Sequence, residues 1–251
     1  MPSRRNTRTD AERTSALTIL DQQCSATPAA KRPFPDALFQ QLAPLKTEWD
    51  RVTTAVAAAL GRQAGATART TAAAALLDLL ISHFFQVFNL GVARGEFRAA
   101  DRTLYHLDAK GGRLPRVRSH AARRRWAENI VDGEAARQRA TGEAFVPMSL
   151  PSAAQVAAAL ATYQEAYDTA STARTAYDLA QEAVAAQRPG ANAYLREVWD
   201  EIEHTHRHED APSRRRKCRL WGVNYISRRG EPAEPDPLPA EPAPVPAPPT
   251  E

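Results

Sequence analysis

The chain has 251 residues, 43% of them hydrophobic, 25% charged and only 7% aromatic, with a formal net charge of +4. Two cysteines far apart, Cys24 and Cys218, make no disulfide framework, and 50 alanines argue against a sheet-rich fold, because alanine is the best helix former and packs a pleated surface poorly. A charge of +4 does not imply nucleic-acid binding at this length, although its distribution along the chain matters more than its sum.

The predicted elements begin with a flexible stretch, residues 1–35. Its opening lacks the apolar run of a secretory signal, and Asp10 and Glu12 count against a transit peptide, so a cytoplasmic location is expected. Thr9 followed by Glu12 fits a capping box that opens a short helix to about Gln23. Cys24 to Pro35, punctuated by Pro28, Pro33 and Pro35, reads as linker.

Residues 36–112 read as a first helical hairpin followed by a short helix. Leu38, Leu42, Leu45, Trp49, Val52, Val56 and Leu60 recur at heptad steps, with Pro44 inside the pattern. Gly61 and Gly65 bracket the predicted turn. The return helix, about Thr67 to Phe97, carries so many apolar residues (Leu76, Leu77, Leu80, Ile81, Phe84, Phe85, Val87, Phe88) that a central position is expected. Asp78, Ser82, His83, Gln86 and Asn89 interrupt it. An Asp at mid-bilayer costs about 2.5–3.5 kcal/mol on insertion scales, so a buried helix is expected and no membrane span, with His83 a core histidine.

A basic helical connector follows at residues 113–151, with a helix from about Ser119 to Ala140 and Gly142 as its stop. Residues 152–212 read as a second helical hairpin. Ser152 and Gln155 supply a capping box, Val156, Leu160, Tyr163, Tyr167 and Val184 lie at helical steps, and Pro189-Gly190 is the expected turn. A basic aromatic arm, residues 213–230, and an acidic Pro-rich tail, residues 231–251, close the chain. The tail holds nine of the 19 prolines and no base, a composition that stays extended and solvated.

Candidate chemistry is sparse. On a helix His204 and His208 would share a face with Glu201, a spacing that can grip a transition metal, but a helix C-terminus favours histidine for its dipole alone, and no metal is expected. Cys218 sits among cations that would lower its pKa, yet no histidine or carboxylate completes a nucleophilic constellation. No catalytic residue, no cofactor and no enzyme activity are expected.

The basic runs carry the strongest signal. Arg113, Arg116, Arg118, Arg123, Arg124 and Arg125 form an acid-free run of candidate phosphate contacts. Arg214, Arg215, Arg216 and Lys217 begin a second run that includes Trp221 and Tyr225, an arm suited to anchoring in a groove while its arginines meet carboxylates such as Glu201 and Glu203 of a neighbouring copy. Arginine dominates, 29 against four lysines; a GC-rich genome encodes such a bias, and selection for bidentate contacts is the other reading.

Three segments, Ser82-His83-Phe84-Phe85-Gln86-Val87-Phe88-Asn89-Leu90 through Arg94-Gly95-Glu96-Phe97, Trp126-Ala127-Glu128-Asn129-Ile130-Val131-Asp132-Gly133-Glu134, and Ser213–Lys217 through Trp221-Gly222-Val223, resemble a group of helical bacterial proteins of unassigned function. That resemblance spans residues 36–230 and implies a helical fold and a bacterial source; it brings no catalytic residues.

The expectation is therefore an all-α, antiparallel helical bundle of two long helical hairpins, with a basic connecting segment and an extended C-terminal arm. The expected role is a non-enzymatic structural or scaffold protein, a homo-oligomer that self-associates through helical seams and the arm, with other protein subunits as further partners. The alternative is a nucleic-acid-associated protein that binds phosphates through the two arginine-rich runs.

Overall fold

The computed structural model describes residues 3–109 and 114–226. It is an all-α protein built on several long helices: α1 (Asp10–Ala26), α2 (Asp36–Ala93), α3 (His120–Thr141), α4 (Ala153–Thr205) and α5 (Ala211–Leu220). The two-residue strands β1 (Ser3–Arg4) and β2 (Tyr225–Ile226) pair antiparallel. The expected tail, residues 231–251, lies outside the described residues, as does Arg113.

The expected hairpins are replaced by single helices. α2 runs unbroken through Pro44, Gly61 and Gly65, and α4 runs unbroken through Pro189 and Gly190. An interior glycine costs only about 1 kcal/mol relative to alanine, and alanine-rich flanks outweigh it. Pro189 costs more, about 3 kcal/mol, but Val184, Ala191, Tyr194 and Leu195 are buried on either side and hold the helix in register. Gly61, Gly65 and Gly190 keep ordinary helical backbone, whereas Gly95, with φ of 79°, ends α2.

The chain divides into two compact units, Met1–Val56 with Ala180–Glu251, and Ala57–Leu179. In the first, α1, the opening of α2, the close of α4 and α5 enclose a core of Leu17, Leu20, Leu38, Trp49, Trp199 and Ile202. The segments of α2 and α4 are antiparallel: the Thr205 hydroxyl donates to the Pro33 carbonyl at 2.9 Å, and Tyr194 Oη to the Leu38 carbonyl at 3.0 Å. α1 starts at the predicted capping box, with the Glu12 amide donating to Thr9 Oγ1 and the Thr9 amide to Glu12 Oε2, both at 3.1 Å. Trp49 Nε1 donates to Thr14 Oγ1 at 2.8 Å, which ties α1 to α2. Asp10, in the first turn of α1, accepts both prongs of Arg188 from α4 at 2.9 and 2.8 Å.

The second unit packs the close of α2, α3 and the opening of α4 around Leu77, Ile81, Phe84, Phe85, Phe88 and Tyr105. α4 opens at its predicted box: the Ser152 amide donates to Gln155 Oε1 at 2.8 Å and the Gln155 amide to Ser152 Oγ at 3.2 Å. The predicted central character of α2 is only half met. Leu77, Ile81, Phe84, Phe85 and Phe88 are buried, but Leu76, His83, Val87 and Leu90 are exposed. His83 is therefore a surface residue and not a core histidine.

Beneath α3 lies a buried ionic cluster. Arg137 pairs with Glu134 at 2.8 Å and donates to Tyr105 Oη at 3.0 Å and the Val146 carbonyl at 2.8 Å, while Tyr105 Oη also donates to Glu134. The Met148 amide donates to the other Glu134 oxygen at 3.2 Å. Burial first, and the Glu134 carboxylate second, push the Tyr105 phenol far above its ordinary range. Gly133 is required here, because a Cβ on it would stand 2.2 Å from Tyr105 Cδ1.

Two outcomes are expected from these arrangements. Arg137→Met leaves the Glu134 carboxylate buried and unpaired, so a urea melt followed by tryptophan fluorescence should show a loss of about 3–5 kcal/mol, most of it restored by Glu134→Gln in the same chain. Asp10 is held below the ordinary carboxylate range, first by its hydrogen bonds to Arg188. A depressed carboxylate stabilises the fold above its unfolded pKa and loses that contribution as pH falls through its folded pKa. Asp10→Asn should thus melt earlier than the parent at pH 7, and the difference should begin to shrink below about pH 4 and vanish only below the lowered folded pKa.

Candidate functional site

The C-terminal arm is an element of the fold. Its basic part is helical, not extended: α5 is capped by Asp210, whose side chain accepts from the Ser213 amide at 3.0 Å, with Pro212 in the first turn. Four consecutive cations gave no reason to expect this helix, but the Asp210-Ala211-Pro212-Ser213 start is a recognisable helix opening. Arg215 is buried, Arg216 donates to Ser213 Oγ at 3.1 Å, and Lys217 pairs with Glu209 at 2.7 Å. Arg214 is partly buried.

Both aromatic anchors dock on their own unit. Trp221 is buried edge-on against Phe34 with centroids 5.5 Å apart. Tyr225 Oη donates to Glu203, whose second oxygen accepts from Arg4 at 3.1 Å. Glu203 thus meets the arm as expected, but within one chain and through Tyr225 in place of the arginines. Cys218 is fully buried, and burial pushes its thiol up, against the lowering expected from neighbouring cations; burial does the same for Cys24.

The histidines do not converge. α4 ends at Thr205, so His208 never stands one helical turn beyond His204. His206 Nδ1 lies 3.0 Å from Glu209 Oε1, and Arg207 contacts His204. Among the described residues no group of three or more His, Cys, Asp or Glu side chains could hold a metal ion.

The first basic run, at the start of α3, builds something the sequence did not disclose. Arg124 pairs with Glu128 at 2.8 Å and Arg125 lies over the Trp126 ring, so both are spent locally. Arg116 and Arg118 are exposed. Arg123 reaches across to α2 and grips Asp78 with both prongs at 2.8 Å. This fork closes one wall of a cleft of about 730 Å³ in the second unit. α2 lines it with Thr67, Thr71, Ala74 and Asp78, the start of α3 with Arg118, Ser119, His120 and Arg123, and α4 with Tyr163, Tyr167, Ser171 and Arg174.

The inner wall is aromatic and ordered. His120 stacks on Tyr167 with centroids 3.9 Å apart and planes inclined by 19°, and its Nδ1 lies 3.2 Å from Tyr163 Oη. Ser119 caps α3 by accepting from the Ala122 amide at 3.2 Å. Thr70 turns its hydroxyl to the Ala166 carbonyl at 2.8 Å, joining the antiparallel segments of α2 and α4 behind the cleft. The sequence pattern placed Tyr163 and Tyr167 on the apolar face of α4, and Asp78 counted there as a charge against a membrane span. Three segments that are distant in sequence assemble the cleft, so no local spacing reports it.

No family model, no curated protein and no solved structure matches the chain.

The burial of both thiols gives a direct check. Maleimide should label neither Cys24 nor Cys218 in the native protein and should label both after denaturation; rapid native labelling of Cys218 would show the arm detached.

Proposed function

We propose that this is a non-enzymatic structural or interaction protein that associates with a second copy of itself through the outer face of α2. One observation carries the reading. Leu76, Leu79, Val87 and Leu90 are 50%, 49%, 40% and 53% exposed, on the helix with the longest apolar stretch of the chain. α2 is the one described helix long and apolar enough to cross a membrane, yet only 33% of its most apolar window is buried.

The pattern suits a helix better than lipid. With Ala72, His83 and Gln86 these residues fall in an arc of roughly 100°, the width of a helix-packing seam. A lipid-facing helix would carry apolar residues over the whole of its uncovered surface, and here Thr71, Asp78 and Ser82 follow directly beside the stripe. The stripe is also symmetric about His83: Leu76 and Leu90 are equidistant from it, and so are Leu79 and Val87. An antiparallel partner centred on His83 sets Leu76 opposite Leu90 and Leu79 opposite Val87, the self-complementary contact of a two-fold dimer.

The arm, with Trp221 and Tyr225 engaged inside its own unit, adds no seam in this reading. The nucleic-acid alternative rests on the exposed Arg116 and Arg118 and on partly buried Arg214, since the other described arginines of the expected contact set are bonded, stacked or buried. It is the weaker reading.

Sedimentation at several protein concentrations tests the proposal. The parent should form a dimer, and Leu79→Lys with Leu90→Glu should be monomeric with an unchanged helical spectrum. His83→Cys should give a disulfide-linked dimer under mild oxidation, since the two native thiols are buried. A parent that stays monomeric at every concentration, or that binds neutral lipid vesicles through this stripe, would sink the proposal.

A further inference from the structure

We propose that the cleft of the second unit is a binding site for a small organic phosphomonoester. Charge is the first argument. The lining carries three guanidinium groups, Arg118, Arg123 and Arg174, against one carboxylate, Asp78, so its formal charge is +2 before His120 is counted. Both Asp78 oxygens are taken by Arg123 at 2.8 Å, which leaves the other two cations without a carboxylate of their own in the cleft. Arg118 and Arg174 are exposed side chains with no hydrogen bond or ion pair among the described residues. They come from different segments, the approach to α3 and the middle of α4, and meet at one cavity. A phosphomonoester carries about −1.5 to −2 charges at pH 7, which matches this surplus, whereas a single carboxylate leaves half of it uncompensated. Guanidinium forks are the side chains best suited to phosphate oxygens.

Size and lining give the second argument. A volume of about 730 Å³ belongs to the range of sites for whole organic ligands, roughly 300–1,000 Å³, and is far larger than an inorganic ion needs. Ala74, Ala170 and the Tyr163 and Tyr167 rings offer apolar surface for the body of such a molecule. The stacked His120–Tyr167 pair fixes that wall before any ligand arrives. The Ser119 and Ser171 hydroxyls supply neutral donors between the cations. The Asp78–Arg123 fork then has a second role: it fixes the third guanidinium in the wall of the cleft.

Calorimetric titration of the full chain with phenyl phosphate, inorganic phosphate and phenol, each at two salt concentrations, tests this. Phenyl phosphate should bind at one site per chain, about tenfold or more tightly than either fragment, since it alone satisfies both walls. Arg118→Gln and Arg174→Gln, both exposed and structurally undemanding, should each weaken it about tenfold while the thermal melt stays unchanged. The proposal is overturned if phenyl phosphate binds no better than inorganic phosphate, or if both variants bind like the parent. It is equally overturned if only a DNA or RNA oligonucleotide binds, with steep salt dependence, and loses affinity in the same variants. None of these readouts depends on dimerisation, so they stand apart from the sedimentation result.

Discussion

The second unit depends on the fork between Asp78 and Arg123. α3 has a modest apolar side, Ala127 and Ile130 in the core with Trp126 partly covered, and such a narrow stripe would let the helix roll. Arg123 stops that roll, because two parallel hydrogen bonds to one carboxylate fix an orientation as well as a distance. Three to four turns further on, Glu134 and Arg137 fasten the other end of α3 to Tyr105 and to the backbone at Val146. The helix is thus held at both ends by charge and in the middle by apolar packing. Everything the cleft takes from α3 follows from that attachment: Ser119 and His120 are where they are because Arg123, one turn later, is tied down.

The first unit handles charge in another way. Arg4, Asp10, Arg188 and Glu203 link elements from opposite ends of the chain around an apolar centre. Each pair is partly exposed, and pairs of that kind contribute little apiece. Their value is in orientation, because each joins segments that apolar contact alone would leave free to slide. The arginine abundance therefore has a structural outlet in both units. Two of the exposed arginines without a bond, Arg118 and Arg174, meet at one cleft.

How much of this could be read from the residues depended on range. The capping boxes at Thr9–Glu12 and Ser152–Gln155, and the helix stop at Gly142, were legible because each motif closes within four residues. The inner seam of Leu38, Leu42, Trp49 and Val52 was legible because heptad spacing is a property of one helix. The breaks at Gly61, Gly65 and Pro189 were misplaced, since a helix-breaking tendency of a few kcal/mol competes with packing that only the partner helices supply. His83 was misplaced for a related reason: periodicity shows that a helix has faces without saying which one the partners cover. The Arg123–Asp78 pair and the Arg174 wall were out of reach, because they join positions separated by tens of residues with no motif between them. Trp221 and Tyr225 of the arm pack within their own unit, against Phe34 and Glu203, contacts between positions too far apart in sequence for a spacing to report.

The smallest element has the widest reach. β1 and β2 are two residues each, and the Arg5 amide adds one more bond to the Asn224 carbonyl at 2.9 Å. This ladder brings the beginning of the chain alongside the residues that follow α5, and Arg4 and Tyr225, neighbours across it, share the carboxylate of Glu203. The two ends are accordingly one feature. Trimming the first five residues would strip the backbone partner from β2 and the Arg4 guanidinium from Glu203, so a change made before α1 is felt after α5. A nascent chain cannot complete this ladder until Ile226 has been made, so closure of the first unit follows the synthesis of every helix from α1 to α5.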